Sequence, residues 1–257
     1  MDPLTIIGVV VGFAVIFGAM VMEGGSPAAL FLPAPLLLVF IGTMAVGMAG
    51  TSLPSFKHSL LQLKVAFTSP LPQCDDLVNN IVRCAETARR DGLLALEMLV
   101  TSIDDAFLRR GLELAIDGTD PEELASILEA EVHAAKERGT TGAKFFNDLG
   151  AYAPTIGIIG TVLGLVQVLG NLSDPGELGH MIAAAFVATL WGVLSANVLW
   201  LPIAKKLTLI NDLQNQQREV VIEGVLAIQA GANPRTVDRK LRALLPPEAS
   251  KPTDKAA

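Results

Sequence analysis

Four stretches of this chain, Pro3–Met22, Gly24–Phe56, Leu149–Ser173 and Leu178–Ala204, contain no Asp, Glu, Lys or Arg. A helix needs about 20 apolar residues to cross the hydrocarbon core of a bilayer, so each stretch is long enough to span once. The second exceeds one span. Gly24, Gly25, Ser26 and Pro27, with the segment Pro33–Pro35, open it as a loop or interfacial segment, leaving Leu36–Leu53 for the helix. The first stretch has no basic residue before it and no Ala-x-Ala site after it, so it reads as a retained helix rather than a signal peptide. Composition agrees: the chain is 51% hydrophobic, with a mean hydropathy of +0.49.

The basic residues set the topology. All 19 lysines and arginines lie between Lys57 and Lys144 or from Lys205 onward, and none falls in the short loops Glu23–Pro35 and Asn171–His180. Positive residues stay on the cytoplasmic side, which places both basic blocks and both termini inside. The net charge of −7 argues against nucleic acid as a partner. Cys74 and Cys84 fall in the cytoplasmic block, where they stay reduced, and their neighbours offer no metal-ligand spacing.

The expected fold is all-α: a polytopic membrane protein of four transmembrane helices with a helical cytoplasmic domain. Four segments follow: 1–54 with the first two spans, 55–146 cytoplasmic, 147–206 with the third and fourth spans, and 207–257 as a cytoplasmic helical tail. In the cytoplasmic segment, Leu77, Ile81, Val82 and Ala85 repeat at three- and four-residue spacing, and Gly92 marks a joint. A helix over Asp104–Ile116 ends at Asp117-Gly118. Thr119-Asp120-Pro121-Glu122-Glu123 opens another, expected to stop at Gly139. The tail breaks at Gly231–Pro234, and the residues after Leu245 read as disordered.

The third span carries Gly157, Gly160 and Gly164, a spacing that lets a neighbouring helix approach closely. Polar residues are few: Thr155, Thr161 and Gln167 in the third span, Thr189, Ser195 and Asn197 in the fourth. No span supplies an Asp, Glu, Lys or Arg, although ion transport ordinarily needs an ionisable group. Either the chain conducts nothing or another polypeptide brings the carboxylate. The three histidines are scattered, and no nucleophile–base pair or phosphate loop is visible, so an enzyme is not expected; neither a cofactor nor a metal is implied.

The run Ala151-Tyr152-Ala153-Pro154-Thr155-Ile156-Gly157 through Gly164 resembles the third span of the MotA/PomA stator subunits. Ala185–Gly192, Pro202, Ala88–Glu97, Glu223-Gly224 and Gly231–Arg235 match further landmarks of that family in order. The resemblance implies a subunit of a flagellar motor stator, five copies of which surround a dimer of a MotB-type B subunit whose membrane Asp carries the ion. It assigns Thr155 and Thr189 to the ion path, Pro154 and Pro202 to coupling, and Arg89, Arg90 and Glu97 to the FliG ring of the rotor. On one helix, residues seven or eight apart share a face, with Gly92 the place for a bend. Ala188 stands where sodium-driven relatives place a hydroxyl, which favours H⁺. The implied setting is the inner membrane, among lipids. Two other readings stay open: an ExbB/TolQ-like energising subunit, and a membrane scaffold that conducts nothing.

Overall fold

The computed structural model describes residues 4–68, 74–172 and 175–245, so the expected disorder after Leu245 lies outside the described residues. Ten helices follow in order, without strands among the described residues: α1 (Leu4–Met22), α2 (Pro33–Ala49), α3 (Leu53–Thr68), α4 (Asp75–Asp91), α5 (Glu97–Val100), α6 (Ala106–Ile116), α7 (Pro121–Gly170), α8 (Pro175–Leu194), α9 (Leu201–Gln229) and α10 (Pro234–Ala243). The chain divides into two compact units. An apolar unit takes residues 1–70 and 139–209, and a polar unit takes 71–138 and 210–257.

Among the described residues, three helices are long and apolar enough to cross a membrane: α1, a window within α7, and a window within Gly176–Gln229. The helix Pro33–Ala49 is apolar but shorter. It begins at Pro33, three residues before the expected start, because proline suits the first helical position, where its missing N–H costs no hydrogen bond. A π-helical turn, Leu37–Ile41, follows within it. In the apolar unit, aromatic rings form a continuous chain of contacts from Phe13 through Phe17, Phe31, Trp191, Phe40, Trp200, Phe146 and Phe145 to Phe56. The chain touches α1, α2, α3, α7 and α8. Trp191 also donates its indole N–H to the Leu30 carbonyl at 2.7 Å, tying the loop before α2 to α8.

Helix α7 does not stop at Gly139; it continues to Gly170. A single glycine costs a helix only about 1 kcal/mol relative to alanine, and packing of the face that carries Phe145, Phe146 and Leu149, all buried, outweighs it. The sequence places Pro202 in the fourth apolar stretch, and in the structure a π-helical turn, Ser195–Trp200, immediately precedes it between α8 and α9. Proline lacks the donor for an internal helix bond and crowds the preceding turn, and a π-turn is one way to absorb that misfit.

The polar unit closes on Ile81, Leu96, Leu108, Leu112, Leu128 and Val225, all buried. Its helix ends obey local rules. Asp105 accepts from the Leu108 N–H at 2.7 Å to cap α6, and Asn233 accepts from the Arg235 N–H at 3.0 Å to cap α10. Gly92 and Gly118 both take positive φ, so the joint and turn expected there are present. Arg242 pins α10 to α4 through Asp75 at 3.0 Å and Asn79 at 3.2 Å, while also pairing with Asp238 at 2.8 Å.

Candidate functional site

The third apolar stretch lies in α7 and the fourth in α8 and its continuation, and these two helices meet along a seam of small residues. A Cβ added at Gly157 would stand 2.8 Å from the Ala188 carbonyl oxygen and 3.1 Å from the Thr189 Cα. One added at Gly160 or at Gly164 would come within 2.6 Å of the Cβ of Ala188 or Ala185 respectively. One at Gly192 would reach 2.6 Å from the Ala153 carbonyl oxygen. Backbone therefore touches backbone, as expected for helices that gain nothing from hiding apolar surface in lipid.

Hydroxyls sit inside this seam. Thr161 and Thr189 share a hydrogen bond between their side chains. Thr161 also donates to the Ala185 carbonyl at 3.1 Å and the Gly157 carbonyl at 3.3 Å, and Thr189 reaches the same Gly157 carbonyl at 3.3 Å. The alternatives exceed the protons available, so the two hydroxyls can exchange donor and acceptor roles. Thr155 is not part of this group. It is exposed and donates to the Tyr152 carbonyl of its own helix at 2.7 Å. The resemblance assigned Thr155 and Thr189 to one ion path; in the fold the side-chain hydrogen-bond partner of Thr189 is Thr161. The available signal was the position of Thr161, four residues after Gly157 and directly after Gly160, at the point of closest helix approach.

Ala188 is buried in the seam against Gly160, so a larger residue there meets a helix with no slack. Pro154 lies inside α7 without interrupting it, and both Pro154 and Pro202 are half-buried. Beside the seam a cleft of about 690 Å³ opens between the start of α2 and the facing parts of α7 and α8. Its lining is apolar apart from Gln167 and His180.

Arg89, Arg90 and Glu97 are all exposed in the polar unit. They do not share one helix. Helix α4 ends at Asp91, Gly92 turns the chain with φ +89°, a 3₁₀ turn spans Leu93–Leu96, and Glu97 opens α5. Helical spacing across residues 89–97 fails because a residue outside the helical region interrupts it. Arg90 pairs with its neighbour Asp91 at 2.8 Å; that hydrogen bond raises the Arg90 pKa and holds the Asp91 carboxyl below its ordinary value. Among the described residues, Arg89 and Glu97 have no ion-pair partner. Burial raises the pKa of both cysteine thiols, and no cluster of His, Cys, Asp or Glu among the described residues is arranged to hold a metal.

Residues 100–220 match the model of the MotA/TolQ/ExbB proton channel family. Over 96% of its length the chain is 38% identical to Motility protein A of Bacillus subtilis, covering 92% of that protein. It is 36% identical to Chemotaxis protein PomA of Vibrio alginolyticus, with 94% of each chain covered. The solved structure of C. jejuni MotAB superposes with a TM-score of 0.93 at 30% identity, over 96% of this chain and 97% of that one. Similarity of this extent, across both units, makes the chain a member of the MotA/PomA family, within the MotA/TolQ/ExbB proton channel family.

Proposed function

We propose that this chain is the A subunit of a flagellar stator that conducts protons through the inner membrane and turns the proton gradient into torque. The observation that carries the reading is a mobile-proton hydroxyl pair, Thr161 and Thr189, set between two apolar stretches, Leu149–Ser173 and Leu178–Ala204, that hold no Asp, Glu, Lys or Arg. Such a pair can bond either form of a carboxyl group, donating to the carboxylate or accepting from the acid. The carboxyl group comes from a dimer of MotB-type B subunits, around which five copies of this chain assemble. The name of the C. jejuni structure, MotAB, supports that pairing.

In this reading the chain crosses the membrane four times, with Pro33–Ala49 as the second span and both termini cytoplasmic. Thr155 lies on the same path as the hydroxyl pair. Protonation of the partner Asp removes a charge from the interface between subunits. The resulting change in electrostatic and desolvation energy alters which neighbour it prefers, and the ring steps around the dimer. Pro154 and Pro202 provide the bends through which that step is coupled, with the π-turn before Pro202 as the deformable element. Arg89, Arg90 and Glu97 then press on the FliG ring. Ala188 in place of a hydroxyl leaves the site short of the oxygens Na⁺ needs, which favours H⁺. An ExbB/TolQ-like role gets less support, because the relatives matched over nearly the whole chain are motility and chemotaxis proteins.

The test is co-expression with the B subunit and measurement of proton flux and motility. Thr189→Ala and Thr161→Ala should each lower flux by roughly tenfold or more, the scale of losing about 1.4 kcal/mol of transition-state stabilisation. Thr189→Ser should restore most of it. Wild-type flux and motility in both alanine variants would remove the hydroxyl pair from the path.

A further inference from the structure

The joint between α4 and α5 exposes two large apolar side chains for which the core has no use. Leu94 is 70% exposed and Met98 is 83% exposed. Elsewhere in the polar unit, the large apolar side chains exposed among the described residues are Ile127 and Leu244, at 40% and 42%. The contrast within the joint is sharper. Leu96 and Val100 are buried, and Leu93 and Leu99 pack against the same core. The segment thus seats its core and leaves Leu94 and Met98 outside. Residues 93–100 form a 3₁₀ turn followed by one α-turn, and Leu94 and Met98 stand on the solvent side of each in succession.

The surroundings define what fits. Arg89 and Arg90 precede this apolar pair and Glu97 lies within it, all exposed. Arg89 and Glu97 keep their charges uncompensated, as described above. A membrane surface is a poor match: anionic headgroups attract basic segments, while Glu86, Asp91 and Glu97 would be repelled. A protein surface with an apolar recess, bordered by acids on one side and a base on the other, satisfies all of these groups at once. Desolvated apolar anchors ringed by polar contacts commonly supply most of the energy of a protein interface.

We infer that Leu94 and Met98 are the apolar anchor of the rotor contact, inserting into a recess of the rotor protein while Arg89, Arg90 and Glu97 fix orientation. This rests on the stator reading and deepens it, since it locates the holding force in two uncharged side chains. The charged residues then govern encounter and register, and the apolar pair governs how firmly the contact withstands load.

The experiment uses the intact stator with its B subunit in swimming cells, comparing L94Q/M98Q with R89E/R90E. A photo-crosslinking amino acid is placed at position 94 or 98 in parallel. The expected result for L94Q/M98Q is about a tenfold loss of stall torque, with membrane abundance, assembly with the B subunit and proton flux retained. The conservative pair L94M/M98L should keep wild-type torque, and crosslinks should reach the rotor protein. Normal torque in L94Q/M98Q overturns the anchor, as do crosslinks confined to lipid or to a second copy of this chain. If L94Q/M98Q fails to assemble, the crosslinked partner decides. The charge-reversal arm separates the two ideas: loss of torque in R89E/R90E with normal torque in L94Q/M98Q sinks only the anchor. Normal torque in both removes the rotor contact from this joint altogether.

Discussion

In the polar unit, helices touch through side chains: Leu108, Leu112 and Leu128 fill a core closed by Val225 and Ile81. In the apolar unit the α7–α8 contact is made by backbone, with Gly157, Gly160, Gly164 and Gly192 removing the side chains that would hold the helices apart. The surrounding solvent accounts for the difference. In water, burying apolar area is itself favourable, so bulky residues bring helices together. In lipid that gain vanishes, and attraction depends on close fit and on hydrogen bonds such as Thr161–Thr189. Even the polar unit uses close approach, where Gly224 lies so near Ile81 that a Cβ would come within 2.7 Å of its Cγ2.

This contrast predicts opposite sensitivities. The largest effect belongs to truncation in the polar core. Leu112→Ala should cost about 2–5 kcal/mol and lower the melting temperature of the purified protein. Val11→Ala on α1, where Val11 is exposed, should change it hardly at all. If the two truncations cost the same, the division of the chain by solvent is wrong. The next effect comes from enlargement. Gly192→Ala sets a methyl against the Ala153 carbonyl, and relief requires one helix to move. A cost of about 1–3 kcal/mol is expected, read as reduced assembly and flux. A smaller loss belongs to Arg242→Ala, which cuts α10 from α4 in the polar unit. Its carboxylate partners are partly solvated, so the expected loss is about 1 kcal/mol, screened further by salt. An Arg242→Ala melting point that ignores salt would assign the loss to packing instead.

The apolar stretches, the helix expected over Asp104–Ile116, the helix start at Pro121 and the turns at Gly92 and Gly118 were legible in the sequence because each depends on residues close in the chain. A cap, a positive φ or a charge-free run of about 20 residues needs no knowledge of the partner helix. What escaped the sequence was relational. Gly139 looks like a stop, but whether a glycine ends a helix depends on the residues beyond it, and α7 continues. Gly92 was legible as a joint between Arg89 and Glu97, but not the φ of +89° that takes them out of helical phase. The partner of Thr189 depends on how α7 is rotated against α8, which small-residue spacing limits without fixing. Thr161 as the hydrogen-bond partner of Thr189 therefore emerged only from the fold.

Helix α1 gives the last and smallest prediction. It buries none of its residues, and Gly8 and Gly18 have nothing within 4 Å of an added Cβ. Gly12 differs, because there a Cβ would meet Val198 Cγ1 at 3.1 Å, the end of a side chain rather than backbone. Gly8→Ala and Gly18→Ala should leave assembly and flux within about 0.5 kcal/mol of wild type, and Gly12→Ala should show a slight deficit that Val198→Ala relieves. Those glycines are then simply small residues on a helix surrounded by lipid. Loss of assembly in Gly8→Ala alone would mean that another chain approaches α1 as closely as α8 approaches α7. The seam would then have a counterpart between subunits.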